Sequence, residues 1–79
     1  MSEVIAQLGI GDEAQVVGFN KGDRHLREKL LSMGLTPGVA FRIVRVAPLG
    51  DPVEIEVRGF LLSLRKAEAA LLKVERLPA

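Results

Sequence analysis

The sequence predicts a small, mainly β protein. It reads as a barrel of about five short strands, with a helix inserted after the first strand and a short helical turn before the last. Three observations carry this. Residues Val53 to Arg58 (VEIEVR) alternate apolar and charged, the period of a strand with one buried and one wet face. Ahead of them, Pro48 and Pro52 bracket Leu49-Gly50-Asp51; each proline fixes its own φ and cannot donate to a ladder, and Gly50 can take φ > 0. Short apolar runs recur along the rest of the chain with short connections, and closing such strands into a barrel removes exposed edges.

The elements follow in order. Residues 1–12 form a lead-in, 1–9 preceding a turn at Gly9-Ile10-Gly11, with Ile5 and Leu8 as core contacts. Glu13 to Phe19 is the first strand, with Gly18 marking a bulge. After a loop at 20–22, Asp23 is placed to cap a helix over Arg24 to Met33, because an aspartate there accepts from free backbone N–H groups and sits at the positive end of the dipole. Leu26, Leu30 and Met33 form its core stripe, and Asp23 and Arg27 are spaced as a favourable i, i+4 pair. Gly34 fits the left-handed position beyond the helix, which lets Leu35 touch Leu30, and Pro37-Gly38 is a turn. Phe41 to Ala47 is the second strand; its adjacent Ile43 and Val44 break the alternation and imply a bend or burial on both faces. Val53 to Arg58 is the third, Gly59 a turn, and Phe60 to Leu64 the fourth, with Phe60, Leu62 and Leu64 on one face. Arg65 to Ala70 is the helical turn, and Leu71 to Leu77 the last strand, with Leu72 and Val74 inward.

At 79 residues this is read as one domain over 1–79, and a domain so small buries only about 60–65% of its unfolded surface. A partner or a homo-oligomer is therefore expected. A net charge of +1 gives no electrostatic reason for a nucleic-acid or membrane partner. The absence of cysteine excludes disulfides, thiolate clusters and a cysteine nucleophile, and fits a cytoplasmic location. The N-terminus has no basic, apolar leader, and no apolar run approaches the ~20 residues of a membrane span.

The residues offer little chemistry. His25 is the only histidine and lies among Arg24, Arg27 and Lys29, which disfavours a cation. Glu54 and Glu56 share the wet face of a strand and make at most a weak oxygen-ligand site, with Arg58 as their expected ion-pair partner. Ser2, Ser32 and Ser63 lack a histidine at recognisable spacing, and no phosphate-cradling loop occurs, so no enzyme is expected. There is no Trp or Tyr for base stacking, and Phe19, Phe41 and Phe60 fall at expected core positions. A protein surface remains. Leu31, off the core stripe and framed by Arg24 and Arg27, has the character of an interface anchor, and Leu49 tops the proline turn beside Asp51.

The helix end REKLLSMGL, then TPG at 36–38, RVAPLGDP at 45–52, VEIEVRG at 53–59 and LSLRKAEA at 62–69 together resemble the FeoA family, small cytosolic accessories of the bacterial ferrous iron transporter. The resemblance runs from about Ile10 to Leu77. It implies an SH3-like barrel with the helical insertion, and a non-enzymatic role in ferrous iron uptake through contact with the membrane permease FeoB, which carries a cytosolic G-protein domain. It implies no cofactor. Leu30, Gly34, Pro37, Gly38, Pro48, Gly50, Asp51, Pro52, Gly59 and Arg65 carry over as fold determinants, leaving Arg24, Arg27, Leu31, Leu49 and Asp51 as the expected partner-binding set. A related barrel ends iron-dependent repressors of the diphtheria-toxin-repressor type; with no helix-turn-helix region ahead of the barrel, a repressor is not expected here. The alternatives are a weak Fe²⁺-sensing domain using Glu54, Glu56 or His25, and a small nucleic-acid-binding barrel.

Overall fold

The computed structural model describes residues 4–78. Five strands form one antiparallel sheet: β1 (Glu13–Phe19), β2 (Ala40–Val46), β3 (Val53–Val57), β4 (Phe60–Leu64) and β5 (Leu72–Arg76), in the order β4-β3-β2-β1-β5. Two helices interrupt it, α1 (Arg24–Ser32) between β1 and β2 and α2 (Lys66–Leu71) between β4 and β5, and a 3-10 turn at Ile5–Gln7 precedes β1. This is an SH3-like, mainly β architecture. The barrel is not closed by hydrogen bonds, contrary to expectation: β4 runs directly into α2, which carries the chain to the far side of the sheet before β5 begins. The sheet therefore keeps two edges.

The alternating strand behaves as its sequence dictates. Val53, Ile55 and Val57 are buried, with Glu54 and Glu56 half-exposed between them. Their inward side chains meet Ile43, Leu64, Leu72 and Val74 in one core, closed by Ile5 and Leu8 of the lead-in and Leu30 of α1. The adjacent apolar residues of β2 are explained by a register shift between Ile43 and Arg45 opposite β3, and a second shift lies between Val16 and Gly18 where β1 meets β5. An extra residue on one strand bends it and tightens the local twist, which curls five short strands around so small a core.

Helix α1 starts and stops by side-chain and backbone chemistry. The Asp23 carboxylate accepts from the His25 amide at 2.8 Å and the Leu26 amide at 3.4 Å. Its expected ion pair with Arg27 does not form among the described residues, and the i, i+4 pair on this helix is Arg24–Glu28 at 3.9 Å. At the other end Gly34 takes φ 93°, its amide donates to Leu31 and that of Leu35 donates to Leu30 at 3.1 Å. These are the two bonds of the Schellman motif, and they bring the fully buried Leu30 and Leu35 together.

Candidate interaction surface

Of the expected partner-binding residues, Arg24 and Arg27 line a depression at the start of α1, together with Lys21 and Asp23. Leu31, one turn beyond Arg27, is half-exposed, with the core stripe Leu26, Leu30 and Met33 turned the other way. Leu49 is 96% exposed at the tip of the β2–β3 turn, above an apolar hollow formed by Ile5, Leu8, Val46 and Val53. Asp51 serves the fold: its carboxylate accepts the Lys66 amide at 3.1 Å at the start of α2 and lies 4.0 Å from the Arg65 guanidinium. Leu49 and Asp51 do not line the depression that Arg24 and Arg27 share; the turn at Leu49 and the turn at Arg58-Gly59 occupy opposite ends of β3.

An apolar surface does gather at the second of those ends. Phe60 is 72% exposed and Leu61 61% exposed. They border a groove of about 350 Å³ whose other wall is Ser32, Met33 and Gly34, the helix end that follows Leu31. This corrects the core placement of Phe60. By alternation it shares the face of Leu62 and the buried Leu64, but it follows the hairpin turn immediately and stays largely exposed, only bordering the groove at the end of α1. The sequence carried a partial signal: Phe60, Leu61 and Leu62 are consecutive, so a strand must turn at least one of them outward.

Two charged contacts remain, one exposed and one part-buried. Glu56 pairs with Arg42 across the β2–β3 ladder at 2.7 Å, and the expected partner Arg58 instead takes φ 52° within the hairpin turn. Glu54 faces Ser63 on β4, and His25 lies on α1. Among the described residues no group of three or more His, Cys, Asp or Glu side chains is placed to hold a metal ion. Glu68 was not singled out by sequence. It is buried, accepts from the Arg65 amide at 2.8 Å and from Lys29 Nζ at 2.7 Å, and so ties α2 to α1. The Lys29 hydrogen bond, with the Arg65 amide second, outweighs burial and holds its carboxyl below the usual value. The spacing from Arg65 to Glu68 is that of a residue reaching back to cap its own helix, a signal present in the sequence.

No helix among the described residues is long and apolar enough to cross a membrane. The FeoA domain model matches residues 4–76. A protein of Porphyromonas gingivalis, a fusion of Fe(2+) transport protein A with the Fe(2+) transporter FeoB, is 35% identical over 71 residues, covering 90% of this chain and 8% of that protein. The chain thus spans under a tenth of that relative. The NMR structure of a FeoA-like protein from Clostridium acetobutylicum superposes with a TM-score of 0.87 at 33% identity, covering 99% of this chain and 90% of that one. A manganese-dependent transcriptional repressor superposes at 0.88 over 96% of this chain and 37% of its own, but at 16% identity it shares the fold alone. A shared fold says nothing of a shared task, whereas a family model spanning nearly every described residue does assign kinship: this chain belongs to the FeoA family.

Proposed function

We propose that this protein is a cytoplasmic, non-enzymatic accessory of ferrous iron uptake that works by contact with the membrane permease FeoB. One observation carries the reading: in the Porphyromonas gingivalis relative, a segment like this chain and the FeoB transporter are one polypeptide. Fusion holds two partners at high effective concentration, which is useful where the unfused domains must meet. The surface suits such a role. Its exposed apolar residues Leu31, Phe60 and Leu61 lie at or beside the C-terminal end of α1 and the groove that end borders, with the cationic Arg24 and Arg27 toward the other end of the helix.

The contact is proposed to centre on Leu31, with Arg24 and Arg27 as its rim and Leu49 as a second, separate point. The test is capture of the permease's cytosolic portion by the full chain, with and without GTP. Leu31→Asp is expected to weaken capture at least tenfold while circular dichroism and melting stay those of the parent, because the residue is half-exposed. Undiminished capture, or a variant that simply unfolds, rejects Leu31 as the centre. Failure of the parent chain to capture the permease under either nucleotide condition rejects the accessory role itself.

A further inference from the structure

We infer that β4 is a docking edge, and that its occupant is an extended apolar segment of a partner protein, flanked by carboxylates, which adds to the sheet beside β4. The identity of that partner as the permease rests on the function proposed above; the mode of docking does not.

The edge is open at the level of single groups. The two-residue turn Arg58-Gly59 makes Val57 and Phe60 the closing, hydrogen-bonded pair of the hairpin. Hydrogen-bonded and non-hydrogen-bonded pairs alternate along an antiparallel ladder, so Leu62 and Leu64 bond to β3, while Leu61 and Ser63 direct their N–H and C=O groups away from it. Both residues are exposed, and no other backbone group among the described residues takes up these donors and acceptors. The opposite edge is different. Strand β5 carries Lys73, Glu75 and Arg76 in its five residues, the usual guard against strand addition, whereas β4 has no charge at all.

Chemistry selects the occupant. A segment laid beside β4 turns alternate side chains into the groove between Phe60, Leu62 and Met33, so those positions are apolar. The strand is flanked by cations: Arg58 before it, Arg65 and Lys66 after it. Arg58 and Lys66 enter no ion pair among the described residues, and the Arg65 side chain is 71% exposed. A second copy in the fully overlapped antiparallel register sets Arg58 opposite the second copy's Lys66 at both ends, and like charges directly opposite are destabilising. A segment ending in carboxylates meets the same cations favourably.

The test follows amide hydrogen exchange by NMR on the full, ¹⁵N-labelled chain. The probes are the permease's cytosolic portion, the peptide Asp-Val-Thr-Val-Thr-Val-Asp, and the same peptide with lysine at both ends. Exchange of the Leu61 and Ser63 amides is expected to slow at least tenfold with the first two, and the lysine-ended peptide to bind at least fivefold more weakly than its acidic counterpart. Ser63→Pro deletes an outward donor and no bond to β3, and Leu61→Lys places a charge on the edge; either is expected to abolish the slowing. If Ser63→Pro unfolds the chain, Leu61→Lys alone decides. Permease binding with Leu61 and Ser63 exchange unchanged overturns strand addition and leaves the accessory role standing. Slowing by the acidic peptide without any permease binding sustains the edge and rejects the accessory role. Slowing that grows with protein concentration alone gives the edge to a second copy and overturns a partner segment, and no slowing by either probe overturns the inference outright.

Discussion

Glu68 shows how much one side chain can hold in a domain this small. It joins two helices separated in sequence by β2, β3 and β4, through Lys29 of α1 and its own helix start. Because its carboxyl titrates lower when folded than when unfolded, the stability it contributes is fully present above the ordinary carboxylate range and is lost as pH falls through the lowered folded value. Melting temperatures taken across acidic pH should therefore fall more steeply for the parent than for Glu68→Gln, which cannot ionise. At neutral pH, Glu68→Ala should cost about 2 kcal/mol by urea unfolding, the scale of a hydrogen bond to a charged group. The spacing from Arg65 to Glu68 is readable in sequence; the Lys29 contact is not, because residues 39 apart reveal no pairing in a single chain. Asp51 is similar. It is expected both as a fold determinant and as a partner contact, and its bond to the Lys66 amide depends on the path of α2, which local sequence does not show.

Elements were legible where local chemistry decides them. Strand β1 falls on the expected Glu13–Phe19, α1 ends at Ser32 with Met33 as its cap, one register shift abuts Gly18 and the other follows Ile43, where the alternation falters. Local chemistry of that kind can be tested locally. Asp23→Ala removes both capping acceptances and should cost about 1 kcal/mol in urea unfolding. Gly34→Ala forces a Cβ into the left-handed region at φ 93° and should cost about 1–2 kcal/mol, with no clash contributing because the space around it is open. Phe60 marks the limit of this kind of reading. Alternation gives the face of a strand that a residue occupies, and says nothing of whether another layer covers that face at that height. The same limit applies to closure: the number and length of strands implied a complete barrel, whereas pairing between β4 and β5 depends on where α2 delivers the chain.

For the molecule as a whole, a single core serves every element, and a chain of 79 residues has a total stability of about 4–12 kcal/mol. Ile55→Ala empties the centre of β3, where the residue is fully buried, and should remove about 2–5 kcal/mol. Denaturant midpoints should show a large fraction of the fold lost. Leu49→Ser, at the most exposed large apolar position among the described residues, should shift the same midpoint by no more than about 0.5 kcal/mol equivalent. The pair separates a residue that the core needs from one that the fold does not bury.

The unequal margins of the sheet carry one more consequence. Endless fibre growth by strand stacking needs a receptive rim on each side of every subunit, so that one molecule's free rim seeds the next. Here the β4 rim is bare and the β5 rim is fenced by ions. Once a guest lies along β4, the domain's one uncharged rim is occupied, and a further copy of this chain could add to the sheet only across the charged β5.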